Sequence, residues 1–490
     1  MTRFTTPLAS GFGLALAAGL ALAFWPAAGC GTEPGPVEDG LRGSLRGKHV
    51  LITLIDAAAI DHLSMYGYER DSTPFLAQLA EESLVFDDVT APAPYTIASV
   101  ASLMTGEAVD VHGVTEAGRE VSAELPMLAE RFAEAGYRTS GLSANAHIQR
   151  AFGFARGFES FDGYWPDIEV EHRVPEAQAR RARKVLEAAA EDPRPLFAYW
   201  HFLPPHAPYD PPALDRASFA GHLAGTPLDE AGSLDNLMPL SYGARQPGEP
   251  EAQAIEDLYD ASLRHVDAQL AEIAQALEDT GLADDTLWIV VSDHGEAFGQ
   301  HGLWQHARTV YDEMVRVPLI IRLPKDLREH LPPGRRTTPI GLADLHPTLV
   351  ELFGLGGGQP WSSASLVSAL LADEEPGTES LDRPPVVTRT AGPAEHVAIR
   401  EGDLKLIHRL TGFDEGGKRK GEGTWELYDL ATDPGETQRL PHSSPAHAGD
   451  FARMRKQLRL FREAARSRAK DAAEVEIDAA TEAHLTDIGY

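Results

Sequence analysis

Four short stretches of this 490-residue chain end or open an apolar run with a side chain able to bind a cation or attack an ester. Asp56 closes His49-Val50-Leu51-Ile52-Thr53-Leu54-Ile55, and Asp293-His294 follows Leu287 to Val291 and leads into Gly295-Glu296. Thr96 opens the segment Thr96-Ile97-Ala98-Ser99-Val100-Ala101-Ser102-Leu103, and His206 lies in His201-Phe202-Leu203-Pro204-Pro205-His206-Ala207-Pro208-Tyr209. Singly, each has an ordinary reading: Thr96 as a helix N-cap, Asp56 as a strand-end turn residue, His206 as a loop histidine. Together they offer two carboxylates, an imidazole and a hydroxyl. Such a hard oxygen and nitrogen set suits one divalent cation: manganese, magnesium, zinc or, less comfortably, calcium.

Positioning these groups requires a scaffold, and the hydrophobic pattern supplies one. Apolar runs at 49–55, 196–202, 286–292 and 318–322 read as buried strands. Helical patterns at 73–83, 125–135, 177–190 and 252–279 lie between them. In the last, Ile255, Leu258, Leu263, Val266, Leu270, Ile273 and Leu277 keep to one stripe. Alternating strands and helices favour an α/β fold whose mainly parallel sheet is covered on both faces. Chemistry in such folds collects at the carboxyl ends of the strands. Beyond Phe353 the pattern changes. A Gly-, Ser- and acid-rich stretch, 356–385, precedes three short strand-like runs at 397–401, 404–410 and 425–430, then a helical segment at 451–469. Residues 214–250 lack periodicity and read as a surface insertion near the site.

The order of these stretches resembles the sulfatase family of the alkaline phosphatase superfamily. The resemblance rests on Asp56 with Asp61-His62-Leu63, on Ser102-Leu103-Met104-Thr105-Gly106, and on Ser292-Asp293-His294-Gly295-Glu296. It continues through His301-Gly302-Leu303-Trp304, Arg316-Val317-Pro318-Leu319-Ile320, Ala343-Asp344-Leu345-His346-Pro347-Thr348 and Leu427-Tyr428-Asp429-Leu430 to Ile488-Gly489-Tyr490. It implies an alkaline-phosphatase-like catalytic domain, 48–385, and a small antiparallel sheet with a helix, 386–490. It also implies a metal set of Asp56, Thr96, Asp293 and His294. His206 would contact the transferred group or protonate the leaving oxygen, and His306 would lie near the transferred sulfate or phosphate. Asn145 and His147 fall where relatives place substrate-facing groups. His62 and His112 read as structural, and Asp344 with His346 as the start of a buried helix rather than a second metal site.

The family pattern is broken at its nucleophile. Sulfatases carry Cys or Ser in a Cys/Ser-x-Pro-Ser-Arg motif and oxidise it to formylglycine, whereas this chain has Thr96-Ile97-Ala98-Ser99-Val100. Oxidising a threonine would give a ketone, so the aldehyde-hydrate mechanism is excluded. Ala57 and Ala59 stand where relatives often carry a second acid and an arginine. A threonine nucleophile beside a cation remains sensible. The expected activity is metal-dependent hydrolysis of a sulfate or phosphate ester, on a small, glycan or lipid substrate. A phosphoryl head-group transferase and an inactive anion-binding member are the alternatives.

Composition adds location and excludes partners. A formal net charge of −31 repels nucleic acid. Arg3, the apolar run Gly11 to Phe24 and Ala27-Ala28-Gly29-Cys30 describe a signal peptide, 1–29, ending in a lipobox-like site. Cys30 is the only cysteine, which excludes an intramolecular disulfide. The expectation is a lipoprotein of the bacterial cell envelope, lipid-anchored to membrane through Cys30, with 30–47 as a tether.

Overall fold

The computed structural model describes residues 40–163, 174–356, 361–371, 383, 385–391, 395–410 and 423–489. The expected signal peptide and Cys30 lie outside the described residues. The end of the expected tether is docked: Leu41 and Leu45 are buried, and the amides of Gly43 and Leu45 donate to the carbonyls of Glu351 and Leu352. Two leucines four residues apart cover the core there.

The elements that carry the argument are β1 (His49–Ile55), β2 (Leu84–Phe86), α1 (Thr96–Thr105), β3 (Arg138–Ser143), β4 (Ser160–Gly163), α2 (Val174–Ala190), β5 (Leu196–Phe202), α3 (Glu249–Asp279), β6 (Thr286–Ser292), β7 (Leu319–Arg322) and β8 (Gly334–Arg336). Their strands form one eight-stranded sheet in the order β8-β2-β7-β6-β1-β5-β3-β4. Only β7 runs against the others. The α/β expectation and the positions of β1, β5, β6 and β7 match the sequence reading. Along β1, Val50, Ile52 and Leu54 enter one apolar layer while Leu51 and Ile55 enter the other. A strand buried on both faces has no polar side to show, which is why the run is continuous. The expected stripe of α3 is buried throughout against the second layer.

After the main sheet come β9 (Val386–Arg389), β10 (His396–Glu401), β11 (Leu404–Arg409), β12 (Thr424–Asp429) and α4 (Ala448–Ser467). These four strands form an antiparallel sheet in sequence order. Val397, Ile399, Leu406 and Leu427 of that sheet pack on Met454 and Leu458 of α4. On the opposite face Ala398, Ile407 and Tyr428 join the core of the large unit. Tyr311 stacks its ring 3.8 Å from that of His301 and donates to Glu426 of β12 at 2.7 Å, tying the two sheets together.

The parallel register brings the site together. Leu54 pairs with His201 and Ile55 with Phe202 on one side of β1, and Ile55 pairs with Ser292 on the other. Asp56 and Asp293 therefore leave adjacent strands at the same level, with His201 near the end of the neighbouring strand β5.

Candidate active site

Thr96 is the first residue of α1, but it is not the N-cap. Tyr95, with extended backbone, holds that position. The Thr96 hydroxyl turns instead toward Asp56 Oδ1 at 3.4 Å and His294 Nε2 at 3.3 Å. All ten residues of α1 are buried, and Gly106, in the left-handed region at φ 72°, ends the helix. The N-terminal dipole of α1 is thus directed at the same point as the side chains.

Asp56 accepts from Asn145 Nδ2 at 2.6 Å, and its Oδ2 lies 3.0 Å from His201 Nε2. Burial works against its charge, yet the imidazoles of His206, His201 and His294 outweigh that and hold its carboxyl well below the usual range. Burial, then repulsion from Asp56, pushes Asp293 up to about 7. Asp293 Oδ1 accepts from the amides of Ala57 at 3.3 Å and His294 at 3.1 Å. Ala57 reaches it from a left-handed conformation, φ 54°, that a non-glycine residue adopts at a cost. Tyr259 secures this turn, its hydroxyl accepting from the Ala59 amide and donating to the Ala57 carbonyl, both at 2.7 Å.

His294 donates from Nδ1 to the Gly295 carbonyl at 2.9 Å, which leaves its Nε2 lone pair facing Thr96. Burial lowers His294 below its ordinary value against the pull of Asp293. The His306 ring lies 4.2 Å from that of His294 and 4.8 Å from that of His206. His306 and His206 are 8 % and 3 % exposed, and Thr96 is wholly buried. Burial and then the charge of His206 bring His306 down to about 3. His206 donates from Nδ1 to the Ala207 carbonyl at 2.8 Å.

The residues present fit a divalent cation. Donor atoms of Asp56, His201 and Asp293 all lie within 4.8 Å of one another. Asp293 Oδ2 is buried, has no hydrogen-bond partner among the described residues and lies 3.6 Å from His294 Nε2. A buried carboxylate oxygen beside a second carboxylate is costly unless a cation satisfies it.

The structure thus gathers every sequence-predicted site residue, Asp56, Thr96, His206, Asp293, His294 and His306, around one point. Asn145 supports Asp56, while His147, buried two residues further on, feels the Asp56 charge. His201 was not singled out in the sequence; its signal was a lone histidine inside the apolar run of β5. His112 bonds Ser102 at 2.9 Å, and His62 bonds Asp260 at 2.8 Å, both within the scaffold. Asp344 is bonded by Arg383 at 2.8 Å and by the amides of Gly341 and Ala364, and His346 Nδ1 bonds the Met104 carbonyl. The 214–250 insertion does reach the site's rim: Gln246 bonds the indole of Trp304 and the Gly302 carbonyl, and Arg308 lies 4.2 Å over the Tyr242 ring.

Comparison with known proteins decides the family. The profile described as Sulfatase matches residues 48–355, and that of the C-terminal region of N-sulphoglucosamine sulphohydrolase matches residues 299–464. The chain belongs to the sulfatase family.

Among its sulfatase relatives, an N-acetylglucosamine-6-O-sulfatase of Bacteroides thetaiotaomicron is 23% identical, over 86% of this chain and 87% of its own. A choline-sulfatase of Rhizobium meliloti is 26% identical over 75% and 77%. One solved structure, of a protein in complex with its substrate D-glucosamine-2-N,6-O-disulfate, has a TM-score of 0.70 at 19% identity, covering 88% of this chain and 100% of that one. The phosphonate monoester hydrolase of Agrobacterium radiobacter has a TM-score of 0.67 at 21% identity, covering 85% and 96%. These likenesses carry the fold. As a sulfatase-family member the chain is a sulfuric ester hydrolase.

Proposed function

We propose that the protein hydrolyses a sulfate ester with Thr96 as the nucleophile, assisted by one divalent cation. The observation that carries this reading is the Thr96 hydroxyl, which forgoes the helix cap to face Asp56 and His294 inside a buried cluster. Asp56, His201 and Asp293, whose donor atoms lie within 4.8 Å of one another, would hold the cation, leaving His294 Nε2 as the acceptor that faces the Thr96 oxygen. A divalent cation bound there supplies positive charge against the Thr96 oxygen and lowers the cost of its deprotonation.

The rest follows from the chain's own groups. Thr96 Oγ1 attacks sulfur, its proton having two acceptors, His294 Nε2 and Asp56 Oδ1. His206, anchored through Nδ1, gives a proton from Nε2 to the departing alcohol. Water then hydrolyses the sulfothreonine, returning a proton to His206. His306 holds the transferred anion, and the N-terminus of α1 favours its charge.

The names of the relatives suggest an amino-sugar sulfate or choline sulfate as the first compounds to try. The structural likeness to a phosphonate monoester hydrolase makes phosphate and phosphonate esters the necessary comparison. The test is a panel of sulfate monoesters, phosphate mono- and diesters and a phosphonate monoester, on metal-loaded protein with and without an alcohol acceptor. Sulfate release is expected. Transfer to the alcohol would favour a transferase, and no turnover with retained anion binding would favour the inactive alternative. Attachment to the cell envelope through Cys30 is proposed on the lipobox-like segment alone.

A further inference from the structure

We propose that Glu296 is a positioning residue for this reaction, holding the imidazole of His306 in place beside those of His294 and His206. The proposal rests on the reading of His306 as an anion-contacting group. Glu296 follows Asp293-His294-Gly295 directly and is wholly buried. Its side chain is spent on two contacts: Oε1 lies 3.0 Å from His306 Nδ1, and Oε2 accepts from the Tyr209 hydroxyl at 3.0 Å. Whichever atom holds the shared proton, that bond engages Nδ1.

The backbone is shaped to the same end. Ala297–Phe298 pairs antiparallel with Trp304–Gln305, and this hairpin returns the chain from Glu296 to His306. On either side of His306, Gln305 at φ 60° and Ala307 at φ 72° occupy the left-handed region that non-glycine residues rarely enter. Strain on both sides of one residue persists only where the surroundings over-determine it. Here they do: the Ala307 amide donates to the Pro94 carbonyl at 2.9 Å, fixing the loop two residues before Thr96. Gly295 packs so closely that a Cβ on it would lie 2.3 Å from the Glu313 carbonyl oxygen, so the start of the hairpin is fixed as well. The His306 ring is therefore set between those of His294 and His206 by a carboxylate, a tyrosine and a strained loop. An imidazole oriented by a third group is a recurring arrangement in active sites.

The experiment measures kcat and KM for 4-nitrophenyl sulfate on the metal-loaded full chain carrying His306→Ala, Glu296→Ala, Glu296→Gln, or His306→Ala with Glu296→Ala. Glu296→Ala is expected to lower kcat/KM at least tenfold. Glu296→Gln should recover most of that, because its amide still bonds Nδ1. In the His306→Ala background, removing Glu296 should cost nothing more, since the two act as one unit. Tyr209→Phe, which disturbs packing less, should show a smaller loss that likewise vanishes in the His306→Ala background. A Glu296→Ala enzyme within two-fold of wild type would overturn the proposal, as would a loss that persists without His306, the mark of a purely structural role. If His306→Ala itself kept full activity, the anion-contact reading would fall, and this proposal with it. A defective His306→Ala beside an unimpaired Glu296→Ala would overturn this proposal alone.

Discussion

His294 Nε2 lies 3.3 Å from Thr96 Oγ1, joining the end of β6 to the start of α1 across the face where the parallel strands finish. Because His294 donates from Nδ1 to a carbonyl, the atom facing the hydroxyl is an acceptor. A hydroxyl held against an acceptor and a carboxylate is arranged for attack, and its removal should be felt in rate before stability.

Thr96→Ala should therefore abolish turnover, with a loss of about a thousandfold or more in kcat. Thr96 is not the N-cap residue of α1, so the melting temperature should change little, by an amount corresponding to about 1 kcal/mol. Thr96→Ser should stay active because it keeps the oxygen. Co-expressing a formylglycine-generating enzyme should change nothing. An alanine variant turning over within a few-fold of wild type would make Thr96 a packing residue only.

Elemental analysis after loading and desalting should find one divalent ion per chain. Asp293→Asn should lose it, because the neutral amide offers a weaker ligand where Asp293 Oδ2 is now unsatisfied. Metal-free wild-type protein after saturating exposure to manganese, magnesium, zinc and calcium would leave only the anion-binding reading.

The His62–Asp260 pair, at 2.8 Å, should make stability depend on pH. Burial alone would lower His62, but the Asp260 carboxylate outweighs it and the imidazole is raised above its ordinary 6.5. The folded state thus binds this proton more tightly than the unfolded chain. The pair's contribution is fully present below pH 6.5 and disappears as pH rises through the folded value. Urea unfolding at pH 6.0 and 9.0, comparing wild type with His62→Gln, should show the difference between the two shrinking at the higher pH, from about 2 kcal/mol. A difference independent of pH would mean the imidazole is neutral throughout.

Cys30→Ser should release the protein from the membrane fraction and abolish labelling by a fatty-acid probe in a host that processes bacterial lipoproteins. Intact mass spectrometry showing an unmodified Cys30 within an uncleaved N-terminus would refute the anchor.

The continuous apolar runs of β1, β5 and β6 were legible because strands buried on both faces carry no alternation to confuse them. Their polar terminators, Asp56 and Asp293-His294, stood out against those runs, and Thr96 stood out at the start of α1. Family likeness then tied His206 and His306 to the same site. Harder to read was β3, Arg-Thr-Ser-Gly-Leu-Ser, whose buried polar residues form a strand only because β4 and β5 pair with it on either side. A Cβ at its Gly141 would lie 2.4 Å from the Phe161 ring, a requirement set by the neighbouring strand.

The sequence by itself determined the layered α/β fold, the family and the candidate site residues, since each depends on patterns local to a strand or helix. Only the tertiary structure decided how those groups are used. Thr96 gave up the helix cap because Asp56 and His294, 40 and 198 residues away in the chain, offered its hydroxyl other partners. His201 came within reach of Asp56 and Asp293 because β1 and β5 pair in register. Glu296 reached His306 because a short hairpin folds the chain back on itself. Each of these roles is set by distances between segments far apart or turned back in the chain, which the spacing of residue types along it does not encode.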